Sequence, residues 1–344
     1  MSQISGTIVE QEATTVEQEA TIVEQEATTV EQEATPVEQE AHDETRLLPI
    51  KCLSITGGGH NGFSSIAILA ESFGTFWDYD SIESIYSTSS GSIIAVIIAL
   101  KLKVEDIIQY ALERPLDTLV SFDSSRLFAL VNENGMYGKE MFEDFLKPLF
   151  ASVDIELDIS LKEFYEISKI EIFFFTSEVT SFESVNISYK TFPELSVIDA
   201  ISMSASIPII FKPICIDNKY YFDGGFFKAS PYPDALLSYK STEILCICER
   251  YHFDKTFENS PIQETTISNF FMILISRTMR SFNLEYEKNF TETPTTFIME
   301  STHITPTALY KCKEQLYRKE LYDYGVTIYN NKLLTQCSQN ETLQ

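Results

Sequence analysis

The chain has 344 residues, 44% of them hydrophobic, and a formal net charge of -26 at pH 7. That length suits one large α/β domain with a tail, and that charge excludes the basic footprint a nucleic-acid binder needs. It also gives no attraction to anionic lipid, so any contact with a membrane has to rest on apolar groups.

The charge is unevenly spread. Residues 1–45 hold eleven Glu and one Asp with no Lys or Arg, a contribution of -12; the rest has 39 acidic and 25 basic residues, a net of -14. Val-Glu-Gln-Glu-Ala recurs from Val9, Val16, Val23, Val30 and Val37. Valine and alanine alternate there at three- and four-residue spacing, as in a heptad. One reading is a weak oligomerising stalk through which copies self-associate. The other, which composition favours, is a solvated acidic tail. The stripe is only Val and Ala, its Glu residues lack Lys partners, and Thr14, Thr15 and Pro36 interrupt helix. We therefore expect a disordered tail over 1–45 and a folded domain over 46–344. No N-terminal apolar segment resembles a signal peptide. The longest candidate span, Ile93 to Leu100, is far short of the ~20 residues a membrane helix needs. An intracellular protein, soluble or peripheral to a membrane, is expected. The six cysteines form no C-x-x-C pair and mostly sit in apolar runs, which predicts buried, reduced thiols.

Order should begin near Leu47. Ile50 to Ile55 reads as a buried strand, followed by a glycine-rich loop, Thr56-Gly57-Gly58-Gly59-His60-Asn61-Gly62. Ile66, Leu69, Ala70 and Phe73 then share one helix face. Ile85 and Tyr86 supply a second strand, and the long apolar run after Gly91 reads as a buried helix. Glu140 to Phe150 reads as a helix, stopped around Pro148. Ile170 to Thr176 is a strong strand. Ser196 with Asp199 three residues later signals a helix start and opens a small-residue helix, Ala200 to Ser206. Tyr220-Tyr221-Phe222 leads into Asp223-Gly224-Gly225. Ile244 to Cys248 is another core strand. Helix is expected over about 267–290 and 313–324, with a strand over 296–299. The alternation predicts an α/β layered fold with a largely parallel sheet.

The chemistry centres on Ser87-Thr88-Ser89-Ser90-Gly91. A nucleophile elbow needs small residues two before and two after a serine held on a strained strand-to-helix turn. Only with Ser89 at the centre does a glycine fall at either place. Such a serine needs a base, oxyanion donors and a pocket. His42 lies in the tail, and His252 and His303 have no partner motif. His60, in the glycine loop, is the one serious histidine candidate. Asp223 is the second candidate base, a carboxylate at a strand end before two glycines.

Together these stretches resemble the patatin-like phospholipases, whose signature is a glycine-rich oxyanion loop, a serine elbow and a later Asp-Gly-Gly. Here they appear in that order as Gly57-Gly58-Gly59, Ser87 to Gly91, and Asp223-Gly224-Gly225. The run from Asp199 to Pro213 is also similar to the family's approach to the aspartate. The resemblance covers residues 50–240 firmly. It implies a three-layer α/β/α fold related to the α/β-hydrolases. It also implies a Ser-Asp dyad of Ser89 and Asp223, with Gly57, Gly58, Gly59 and Ser90 as oxyanion donors. The implied reaction is acyl-ester hydrolysis of the phospholipase A or lysophospholipase type, through an acyl-enzyme. The partner would be a phospholipid or other acyl lipid at a membrane surface; no cofactor and no metal are expected.

The departures are specific. Thr56 and Asn61 stand where the family often has Asp and Arg, and Ser87 replaces the first elbow glycine. Lys228, shortly after Asp223, is a candidate head-group contact in place of the missing loop cation; its bland reading is a solvated lysine. A catalytically degenerate relative, binding partners through its acidic repeat, is the alternative function. Acyl carrier protein transacylases rank below it, because no histidine precedes Ser89.

Overall fold

The computed structural model describes residues 50–117, 119, 124–251, 267–301 and 306–343. The repeat of 1–45, with His42, and also His252 and His303, lie outside them. In chain order the elements are β1 (Cys52–Ile55), α1 (Gly62–Ser72), β2 (Ser84–Thr88), α2 (Ser90–Ala99), α3 (Val104–Glu113) and α4 (Ser124–Glu133). Then come β3 (Gly135–Tyr137), α5 (Glu140–Ala151), α6 (Leu161–Ser168), β4 (Glu171–Glu178), β5 (Glu183–Ile187) and α7 (Val197–Ala205). They are followed by β6 (Ile209–Phe211), β7 (Ile214–Ile216), β8 (Lys219–Asp223), α8 (Tyr232–Ala235) and β9 (Ile244–Tyr251). The last are α9 (Ile267–Asn289), β10 (Thr296–Ser301), α10 (Pro306–Lys311) and α11 (Gln315–Leu343).

The main sheet runs β10-β9-β1-β2-β4-β8-β7, with β5 also on β4. From β10 to β4 every pairing is parallel, whereas β5 and β8 are antiparallel to β4. The strands read with period two. Leu53, Ile55, Ile85, Ile172, Phe174, Leu245, Ile247, Phe297 and Met299 join the larger core. Their neighbours Cys52, Tyr86, Phe175, Ile244, Cys246 and Cys248 join a smaller one with Tyr232 and Ala235 of α8. Helices α1, α2, α5, α6 and α7 contribute to the large core. The protein is thus a mixed α/β fold, its largely parallel central sheet flanked by helices. Four cysteines are buried as expected, whereas Cys215 and Cys337 are exposed.

One detail of register positions the site. β2 pairs with residues 171–175 of β4, and β8 with residues 176–178. β5 occupies the other edge of β4 along 174–178, so β8 takes the edge that β2 vacates. Thr88 therefore faces Phe175 and Asp223 faces Thr176, one residue on. The end of β2 and the end of β8 meet there.

The helix from Glu140, expected to reach Phe150, ends at Ala151 and carries Pro148 inside it. A proline inside a helix orphans the carbonyl four residues earlier, here that of Asp144, and Arg114 Nη2 donates to it at 2.5 Å. The expected helix over 313–324 starts at Gln315 and runs to Leu343. Gly325 lies inside it, where a side chain would strike the Ser64 carbonyl of α1. Ser64 Oγ donates to Leu321 O at 2.6 Å across the same contact. The three-residue strands β3 and β6, which pair in a second small sheet, are too short to show a period in sequence.

Candidate active site

Ser89 sits between β2 and α2 with φ 54 and ψ -128, a backbone that L-residues adopt only under constraint. The constraint is visible. Its amide donates to Ser204 Oγ at 3.0 Å, and Ser204 Oγ donates to Phe175 O at 2.6 Å. Gly91 closes the elbow from below: an added Cβ would lie 2.4 Å from Ile55 O. Ser87, the departure from glycine, is accommodated because its hydroxyl donates to Phe173 O at 3.0 Å. It is fully buried yet satisfied, so the extra side chain leaves no polar group stranded.

Ser89 Oγ donates to Asp223 Oδ2 at 2.5 Å. The other carboxylate oxygen, Oδ1, accepts from Gly225 N at 2.8 Å, and the Asp223 backbone is fixed by Ser177 Oγ, which donates to its carbonyl at 2.9 Å. Asp223 is completely enclosed, and burial pushes its pKa up to about 6 despite the opposing bonds from Ser89 and Gly225. His60 also lines the cavity beside Ser89, but Ser89 Oγ is bonded to the carboxylate and not to it. Burial lowers the imidazole to about 4, which keeps it neutral near pH 7.

The glycine loop lies against the elbow. A Cβ on Gly57 would meet Ser89 Cβ at 2.5 Å, so only glycine allows this approach. Gly58 N donates to Ser90 Oγ at 3.0 Å; this amide is committed, which removes it from the expected donor set. Asn61, where the family often carries Arg, donates Nδ2 to Glu249 Oε1 at 2.6 Å, and that bond anchors the loop. Lys228 does not take the place of the missing cation. Its ammonium pairs with Asp234 at 2.7 Å and lies 4.6 Å from the Phe175 ring centroid, and Lys228 is absent from the cavity wall. The expected head-group contact is corrected accordingly.

Ser89 and Ser90 open into a void of about 170 Å³ walled by Phe63, Ile93, Tyr137, Phe142, Phe145, Ile207, Phe211 and Leu309, among others. Its lining is almost wholly apolar. One water needs only ~10–15 Å³ by this kind of measure, so the void admits a stretch of alkyl chain. Two residues of this site were not singled out in sequence. Ser204 holds the elbow amide. Asn283 of α9 accepts from Ala229 N at 2.9 Å and donates to Met279 O at 2.7 Å, pinning the segment after Asp223. Nothing in the sequence around Asn283 signals that role; Ser204 lies in the small-residue helix that the sequence did mark.

A family model described as patatin-like phospholipase matches residues 53–236. An uncharacterised protein, R571 of Acanthamoeba polyphaga mimivirus, is 28% identical over 176 residues, which cover 51% of this chain and 58% of that one. A probable lipid hydrolase, 463L of Invertebrate iridescent virus 6, is 26% identical over 183 residues, covering 53% and 61%. The chain thus spans less than two thirds of the length of these curated relatives. Among solved structures, VipD from Legionella pneumophila superposes with a TM-score of 0.53 at 15% identity, covering 84% of this chain and 67% of that one. That likeness is one of fold.

Proposed function

This chain belongs to the patatin-like phospholipase family, and we propose that it is a lipid acyl hydrolase working through a dyad of Ser89 and Asp223. The observation that carries the reading is the 2.5 Å bond to a buried carboxylate from Ser89 Oγ, whose residue lines an apolar cavity. A relative named as a probable lipid hydrolase supports the substrate class.

In this reading Asp223 takes the hydroxyl proton as Ser89 Oγ attacks the ester carbonyl. The amides of Gly57, Gly59 and Ser90 receive the negative charge that develops on the carbonyl oxygen. Collapse of the tetrahedral intermediate breaks the bond to the alcohol, which leaves with the proton from Asp223. The acyl group stays on Ser89 with its chain in the cavity. Water, deprotonated by Asp223, then attacks the acyl-enzyme, and the fatty acid leaves as Ser89 regains its proton. Burial suits Asp223 for both duties, because a carboxyl near 6 is a better base than an ordinary one and is still ionised at pH 7.

The test is a panel of phospholipids, lysophospholipids and neutral esters, assayed with the wild type beside Ser89→Ala. Fatty-acid release by the wild type alone is expected. No release from any substrate, or equal release by the variant, would overturn the reading in favour of a degenerate, binding-only relative.

A further inference from the structure

Two elements expose aromatic surface beside the turn that follows Asp223. Phe182, at the tip of the β4–β5 hairpin, is 51% exposed, and Phe282 of α9 is 48% exposed. Both rings meet Phe226 and Phe227, three and four residues after Asp223, with centroids 4.9 to 5.7 Å apart. Phe182 holds φ 56, a conformation that a bulky side chain rarely takes. The Glu178 carboxylate fixes that hairpin by accepting the amides of Thr180 and Ser181 at 2.6 and 2.9 Å. Along α9, Phe271 and Leu274 are also exposed and fall on the face of Phe282 at helical spacing. The other side of α9 carries the buried Met272 and Asn283.

We propose that this aromatic face seats the protein on an uncharged lipid surface, with the turn after Asp223 at its centre. The inference rests on the lipid-hydrolase reading, since the patch begins three residues after the candidate base Asp223. Continuity with the site selects the occupant: Phe226 and Phe227 belong both to the patch and to the segment that Asn283 pins. Charge selects the kind of lipid surface. A net of -14 over 46–344 opposes adhesion to anionic head groups, whereas phenylalanine enters the interface through its apolar area alone.

The test is flotation of the full Ser89→Ala chain with phosphatidylcholine vesicles at low and high salt. It is compared with the same chain carrying Phe182→Asn and Phe282→Gln. Asparagine tolerates the left-handed backbone at 182, and thermal melts establish that the variants are folded. Each ring removed should cost about tenfold in partition, and the pair about 100-fold. Phe271→Gln with Leu274→Gln repeats the test on the helix alone. The proposal predicts flotation of the parent at both salt concentrations and its loss in both pairs. No flotation of the parent, equal flotation of all chains, or flotation abolished by salt overturns it. So does a dimer, seen by light scattering, that the aromatic substitutions dissolve while vesicle binding persists; that outcome assigns the face to a second copy. Because Ser89→Ala binds without turnover, failure here leaves the hydrolase reading standing, and absent hydrolysis leaves the flotation readable.

Discussion

At the scale of single residues, Asp223 combines two demands that oppose each other. It must be ionised to accept a proton, yet burial pushes its carboxyl up to about 6. As base in the proposed reaction it makes kcat/KM for an uncharged ester rise through about pH 6 and level off above. A pH-rate profile flat from about pH 5 to about pH 8 would contradict that role. The same shift has a stability consequence. The folded carboxyl titrates above its unfolded value of 3.8, so the unfolded chain ionises first and stability falls as pH rises between the two values. Asp223→Asn should therefore raise Tm above about pH 6, with a gain of about 3 kcal/mol at most, and that gain should fade below about pH 4. Melting curves of the two proteins across that range check it. Ser204 sets a second residue-scale expectation. Ser204→Ala removes the acceptor of the strained Ser89 amide, at a cost of about 1–3 kcal/mol for a buried donor left unpaired. It should lower the hydrolytic rate along with Tm; a rate equal to wild type would show that the elbow holds its shape without that bond.

At the scale of elements, local sequence announces some features and hides others. The elbow was legible because its constraints are local: a small residue on either side of Ser89 and a long apolar run behind it. What local sequence hides is how the helix keeps Pro148 inside it, the guanidinium of Arg114 taking over the Asp144 carbonyl. Arg114 lies 30 residues from that carbonyl in sequence, and no periodicity points from one to the other. The explanation can be measured as a coupling. Arg114→Met should destabilise by about 0.5–1.5 kcal/mol, the net worth of an ordinary hydrogen bond. In a Pro148→Ala background, position 148 regains an N–H for the Asp144 carbonyl, and the penalty of Arg114→Met should shrink by about 1 kcal/mol. Urea unfolding of the four proteins closes the cycle; strict additivity would mean that Arg114 does not compensate for the proline.

At the scale of the whole molecule, the sheet converts sequence distance into contact. Ser89 and Asp223 are 134 residues apart, and no spacing rule links them; their order along the chain carried the resemblance, and the register of β2 and β8 on β4 brings them together. Parallel strands and their alternation with helices were legible from apolar runs. The acyl-sized cavity was not, because its wall is assembled from short pieces of many elements, among them β3, β6 and α10. Nor was the partner of Lys228, since the sequence gives its charge and not that of Asp234 beside it. Residues 1–45 offer a core little beyond Val and Ala. A chain starting at Arg46 should therefore unfold cooperatively and hydrolyse esters at the wild-type rate. Loss of either property would give residues 1–45 a part in the folded domain.

The central claim is that Asp223, and not His60, activates Ser89. Labelling by a fluorescent alkyl phosphonate tests it most directly, because covalent capture needs an activated serine and no particular lipid. The wild type and His60→Ala should label, Ser89→Ala should not, and Asp223→Asn should label about 10³-fold more slowly. Hydrolysis rates, measured on an ester, should be little lower for the Ser89→Ala, Asp223→Asn double variant than for either single one, as for residues acting as a unit. Undiminished labelling of Asp223→Asn together with none of His60→Ala would contradict the dyad and put a serine-histidine pair in its place.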